Sequence, residues 1–428
     1  PSDSPIDITP LMITLCQGVG MLKCSILRHS HMRMLVLVML LSAMFAPAVL
    51  ADVQWEEDGW LATIGSERLE KGDEFGCYGM PNLSWKADPG AVALECREYI
   101  ENRIDASKWD SSPISTYTPN DLDKTQHATI ASQGFRIHGD NTGQSDTAWH
   151  NSDNSPEKGI DWHNLGRRGG SLEKGIAEES IIEKELDSGG LVNMYWVGRI
   201  HDATVRHDKD VIDMLAERDD VWFTTWGEAY SYWASEQCTT VNHSLNGNVM
   251  NFELSESTAC RASLNSWNIP TTWVVDISEA TVLESDLSPL DSDEKNTMEG
   301  WRQEGSILYI SILAGKSVNF SLSDEVDYEI SGRTQFFNNK SSALTVGAHS
   351  TTDLFLWSKR FDEHDFLKFT WLITPRALDD GISWLPYAGI GVLLVSVSGI
   401  WLVLKKDALM HSKAEEFMPE SYEGDDDE

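Results

Sequence analysis

The chain has 428 residues, 41% of them hydrophobic, with 17 tryptophans and a formal net charge of −35. That length calls for two or three domains, and the apolar content excludes a disordered chain. A surface this negative repels polyphosphate and anionic headgroups, which excludes a nucleic-acid partner.

The elements are taken in chain order. Residues 1–31 read as an upstream mis-start, because a secretory signal pattern begins only at Met32: "MRMLVLVMLLSAMFAPAVLA" (32–51) has a basic start, an apolar stretch and a small-residue end. From 52 to 237, helix-like and strand-like segments alternate. "AVALECREYIENRI" (91–104), "DLDKTQHATIASQG" (121–134), "IAEESIIEKELDSGG" (176–190), "DKDVIDMLAERD" (208–219) and "EAYSYWASEQ" (228–237) read as helices. "FRIHG" (135–139) reads as a short strand, and "LVNMYWVGRI" (191–200) and "VWFTTW" (221–226) as buried strands, the former of these two apolar enough to be covered on both faces. This alternation predicts parallel α/β architecture, open or closed into a barrel.

After Cys238 the texture becomes short, β-branched and aromatic. "GNVMNFELS", "TTWVVDIS", "SILYISIL", "SVNFSLS", "SALTVG" and "TTDLFLWS" predict an all-β, sandwich-like region over 238–325 and a second small β-rich domain over 326–380. Residues 281–300 are acidic and polar, as in a loop. "LPYAGIGVLLVSVSGIWLVL" (385–404) is 20 residues without a charge, flanked by Trp384 and by Lys405-Lys406, which predicts one transmembrane helix with the bulk of the chain outside. The tail 405–428 is acidic and expected in the cytoplasm.

Four cysteines follow the signal segment: Cys77, Cys96, Cys238 and Cys260. Three pairings exist, and closeness in sequence favours Cys77–Cys96 with Cys238–Cys260; a four-cysteine zinc site is the rival. Sequons at Asn82, Asn242, Asn319 and Asn339 fall in the region expected outside.

Parallel α/β folds place their sites at the carboxyl ends of strands. Two such ends carry metal-type ligands: His138 with Asp140, and His201 with Asp202. His150 and His163 lie on the long intervening stretch "NTGQSDTAWHNSDNSPEKGIDWHN". Imidazole and carboxylate together suit Zn²⁺ or another divalent metal. His207-Asp208 precedes a helix, so Asp208 reads as an N-cap. Glu228 reads as an ordinary first-turn acid, and His127, inside a helix, as structural. No Gly-x-Ser-x-Gly, P-loop or Gly-x-Gly-x-x-Gly occurs.

The run Leu191–Trp233, with "GFRIHGDNT" (134–142), resembles the polysaccharide deacetylases, the NodB-like carbohydrate esterases. The resemblance covers about 134–233 and implies a distorted β/α barrel for the α/β domain. It also implies a metal held by one Asp and two His, with an Asp base and a His acid. On this sequence His201 takes the place of the acid, and His138, Asp140 and His150 stand for the ligands. The family's His-x-x-x-His spacing and paired aspartates are missing; "PISTYTPNDLD" (113–123) occupies the latter's place. The expected activity is metal-assisted deacetylation of carbohydrate. The ion polarises the acyl group, a carboxylate takes the water's proton, His201 protonates the leaving group and Asp202 orients His201. Trp149, Trp162 and Trp226 are candidates for stacking on sugar rings. The alternative is a non-enzymatic surface protein that binds glycan or envelope polymer through a degenerate domain of this kind.

Overall fold

The computed structural model describes residues 60–119, 121–139, 162–165, 168–173, 175–198, 208–350, 364–375 and 385–416. The stretch 32–51, expected to be a signal segment, lies outside them.

A π-helical turn (Leu61–Gly65) runs into α1 (Ser66–Glu70), and then α/β alternation begins. β1 (Glu74–Cys77), β2 (Ser115–Tyr117), β3 (Ile137–Gly139) and β4 (His163–Asn164) pair in parallel, each with the next. Between them lie α2 (Pro89–Glu101) and α3 (Lys124–Ser132). Asp88 caps α2 by accepting from the Ala91 amide at 3.0 Å. Asp123 and Gln126 form a capping box on α3. α4 (Glu179–Asp187), β5 (Gly190–Gly198), α5 (Lys209–Glu217), β6 (Val221–Thr224) and α6 (Trp226–Cys238) follow. Asp208 caps α5, as its place before the helix predicts.

The chain then leaves for two four-stranded antiparallel sheets. One runs β10 (Val282–Ser285), β13 (Lys316–Leu322), β8 (Val249–Glu256), β7 (Thr239–Asn246). The other runs β11 (Gly300–Glu304), β12 (Ile307–Ile312), β9 (Thr271–Asp276), β14 (Glu329–Arg333). Met250, Phe252, Leu254, Val318 and Phe320 of the first pack with Val275, Leu308, Ile310 and Ile312 of the second. A short helix, α7 (Thr258–Leu264), joins β8 to β9.

Strands β15 (Ser342–Ser350) and β16 (Phe369–Ile373) correct the expected domain plan. They do not make a second β-rich unit over 326–380. Both return to the parallel sheet, whose order is β4-β3-β2-β1-β16-β15-β5, with β6 also on β15. β6 pairs with the first half of β15 and β16 with its second half. The sandwich is therefore an insertion between β6–α6 and β15. The physical reason lies in composition: "SALTVGAHS" and "FTWLI" are short apolar runs, and such runs read alike whether their partners are parallel or antiparallel.

The parallel sheet is curled into a half-barrel. Its convex face packs on the helices through Phe75, Val92, Ile100, Val192, Trp196, Phe369 and Trp371. Its concave face closes over the amino end of α6, where Trp226 is fully buried. A methyl group at Gly139 of β3 or Gly347 of β15 would run into the Trp226 indole, so both strands need glycine there. Two disulfides form among the described residues: Cys77–Cys96 ties β1 to α2 and Cys238–Cys260 ties α6 to α7, with Cα atoms 6.1 and 5.4 Å apart. A last helix, α8 (Leu385–Glu416), contains one stretch long and apolar enough to cross a membrane, Gly389–Lys406.

The close fit of Trp226 sets a first expectation. A Gly347→Ala Cβ would sit 2.5 Å from Trp226 Cζ2. The substitution should cost about 1–3 kcal/mol of stability by overpacking. Combining it with Trp226→Phe should recover part of that loss in thermal melts, since the smaller ring vacates the contested space.

Candidate functional site

Side chains on one strand alternate between faces. On β1, Glu74 and Gly76 face the concave side, and Tyr78 follows just past the strand's carboxyl end; Phe75 and Cys77 face the helices. The concave side is thus built in layers, read from the amino to the carboxyl edge.

The lowest layer is a buried carboxylate. Glu74 accepts from the Ser115 hydroxyl of β2, from the Gly227 amide of α6 at 2.8 Å and from the Thr370 hydroxyl of β16 at 3.0 Å. Burial outweighs these donors and lifts the Glu74 carboxyl to about 7. Beside it Glu228 accepts from Trp109 Nε1 at 2.6 Å and from the Thr224 hydroxyl at 2.8 Å. Glu228 is therefore a fully engaged first-turn acid of α6, as its position suggests.

The middle layer is the Trp226 plug. Its amide donates to the Thr370 hydroxyl at 2.9 Å, and its indole nitrogen donates to Asn193 Oδ1 at 2.8 Å. Thr345 also donates to Asn193 Oδ1, at 3.0 Å, and Asn193 Nδ2 donates to the Tyr195 hydroxyl at 3.3 Å. Trp226 is thus core, and not the exposed sugar-stacking ring that sequence alone allowed.

The uppermost layer lies at the carboxyl edge. Tyr78 and Tyr117 stack with centroids 5.2 Å apart and planes 11° apart. His349, near the end of β15, lies 4.6 Å from the Tyr78 ring and 5.7 Å from the Tyr117 ring. Tyr195 supports Tyr117 edge-on at 5.7 Å and meets Trp226 edge-on at 5.9 Å. Tyr78, Tyr117 and His349 are half-buried, whereas Tyr195 is buried. The result is an aromatic floor resting on the plug. Partial burial raises the Tyr78 phenol above its ordinary value.

The residues expected to do chemistry fare differently. Asp140, His150, His201 and Asp202 lie outside the described residues, as do His207 and Trp149. His138 is described, and it points away from the mouth. It alternates with Ile137 and Gly139, so it faces α3, where it is fully buried. Its Nε2–H donates to the Phe135 carbonyl at 3.2 Å, because a carbonyl only accepts. Burial holds the ring neutral, so Nδ1 carries a lone pair and accepts from His127 Nδ1–H at 2.7 Å. That lone pair is the one a metal would need. Trp162 stacks on His127 at 4.4 Å and on His138 at 5.4 Å, so it is packed rather than displayed. His163 opens β4, buried, with its ring pushed down to about 4 by desolvation. His127 is structural, as expected. Among the described residues no three His, Cys, Asp or Glu side chains converge as a metal site would require.

Sequence reasoning missed the floor. A signal was present: "GCY" and "STY" each place tyrosine at a strand's carboxyl end, and "GAH" brings His349 near one. Reading β15 as part of a separate β-rich domain hid the third.

Glu74 generates a pH expectation. A folded-state value near 7 against an ordinary 4.5 means that the folded state holds this proton more tightly. Its contribution is complete below about 4.5 and is lost as pH rises through 7. Denaturation of the detergent-solubilised chain across that window should show wild type losing about 3 kcal/mol relative to Glu74→Gln. Parallel curves would remove Glu74 as the source.

No family model, curated protein or solved structure matches this chain.

Proposed function

We propose that this chain recognises carbohydrate at the outer surface of a cell membrane, with the mouth of the curled sheet as its binding site. The observation that carries the reading is the floor of Tyr78, Tyr117 and His349 at the carboxyl edge of a parallel sheet. Sugar rings present apolar C–H faces and polar rims. Stacked tyrosines match the first with their ring faces and the second with their hydroxyls. The candidate spanning stretch Gly389–Lys406 would hold the site at the membrane. The two disulfides suit an oxidising, extracytoplasmic compartment.

A second reading keeps the resemblance to deacetylases: metal-dependent removal of acyl groups from the bound glycan. One observation favours it. His349 stands in the mouth, and β5 ends at Gly198 paired with Ser350, shortly before His201-Asp202 in sequence. In this reading a divalent metal such as Zn²⁺ supplies the activated water and His201 protonates the leaving group.

Calorimetric titration of the solubilised chain with acetylated oligosaccharides tests recognition. Losing two stacking rings in Tyr78→Ala/Tyr117→Ala should weaken binding about 5- to 150-fold; unchanged affinity would remove the mouth as the site. Acetate release tests the second reading. His201→Ala should lose about 10²–10⁴-fold of a zinc-dependent rate, and His207→Ala much less. A wild type that releases no acetate, and whose melting point zinc leaves alone, is a binding protein. Protease added to intact cells should remove everything before residue 384 and spare the helix and tail; protection of the sandwich would reverse the orientation.

A further inference from the structure

The sandwich sheet β10-β13-β8-β7 has an outer face with an unusual composition. Phe252, Leu254, Val318 and Phe320 point into the core, so their neighbours point outward. The outward set is Asn242, Ser244, Asn251, Glu253, Ser317 and Asn319. Two of these asparagines begin sequons, Asn242-His243-Ser244 and Asn319-Phe320-Ser321. Both asparagines are exposed. In each sequon the strand's two-residue period puts the Asn and the Ser on the same outward face. The pairing register places Asn242 beside Glu253, with Ser317 beyond Glu253 in the same row, and Asn319 one row along beside Asn251. Two strand spacings and one row separate them by roughly 12 Å.

We infer that Asn242 and Asn319 are N-glycosylated, and that their glycans cover the outer face and the open edge of this sheet. The attachment joins Asn Nδ2 to the anomeric carbon of an oligosaccharide carried on a polyprenyl phosphate. The bond from that carbon to the phosphate oxygen breaks, the oxygen leaves with the lipid phosphate, and one Nδ2 proton is lost; nothing is oxidised or reduced. The folded structure accommodates the product. Asn242 Nδ2 donates to the Ser255 hydroxyl at 2.9 Å, and Asn319 Nδ2 donates to Asp286 Oδ2 at 2.9 Å. An amide nitrogen has two hydrogens, and each of these bonds uses one. The hydrogen that remains after attachment keeps the bond, so the glycan is added without unsettling the sheet.

The edge gives the modification a physical use. β7 pairs with β8 on one side, and among the described residues no strand pairs on its other side. An eight-residue exposed edge is a template for pairing with another chain. A bulky, hydrated sugar at Asn242, in the middle of β7, blocks that approach.

Glycopeptide mass spectrometry on the full chain, recovered from the membranes of its native host, tests the inference. Peptides containing Asn242 and Asn319 should both carry hexose or N-acetylhexosamine mass. Asn242→Gln and Asn319→Gln should each abolish one addition and raise electrophoretic mobility. Ser244→Ala and Ser321→Ala should do the same, while Ser→Thr at those positions should restore it. Threonine rescue separates loss of a sequon from misfolding. Unmodified peptide at either position, or sugar only at Asn82 or Asn339, overturns the proposal.

Discussion

The fold hangs on the seat of α6 inside the curled sheet. Glu74, at the amino end of β1, presents its carboxylate to the first turn of α6, where unsatisfied amides and the helix dipole favour an acceptor. The same carboxylate takes the hydroxyls of Ser115 and Thr370, so one side chain ties β1, β2, β16 and α6 together. A group this deeply buried is costly unless its partners are in place. Its placement also settles where Trp226 goes. The indole fills the space that Gly139 and Gly347 leave and spends its N–H on Asn193. The concave side is consequently filled beneath the carboxyl edge.

That constraint explains how the fold tolerates a large insertion. The sandwich enters after α6 and leaves before β15, and both junctions lie against the anchored helix. Tyr232 of α6 accepts from the Thr272 amide of β9 and bonds the Thr334 hydroxyl. Trp267, Phe336 and Phe337, at the sandwich's ends, join the aromatic core around Trp222 and Tyr232. Cys238–Cys260 staples the exit of α6 to the helix beyond β8. The insertion is therefore welded to α6, while the strands that follow it complete the middle of the parallel sheet.

The same geometry puts the Tyr78, Tyr117 and His349 cluster at the far edge from Glu74. Tyr195 is the link: it touches Trp226 edge-on below and Tyr117 edge-on above. The floor is thus braced from beneath by the plug, and rings held in this way have little rotamer freedom.

Several features were legible in sequence because they depend on local chemistry. Asp88, Asp123 and Asp208 announce helix starts, since a short acceptor side chain beside free amides acts within one turn. The alternating α/β pattern, the change to β texture after Cys238, the favoured cysteine pairing and the apolar stretch near residue 390 are likewise matters of composition and spacing. What tertiary structure decided is everything set by partners far along the chain. "IHG" carries no sign of which face of β3 turns inward, so the contact of His138 with His127 could not be read from the sequence. "SALTVG" looked like a strand of a separate β-rich domain over 326–380 until the pairing of β15 with β5, and of β16 with β1, drew that region into the parallel sheet. The floor of Tyr78, Tyr117 and His349 joins residues from three strands, and no spacing rule connects positions that meet only when the sheet curls.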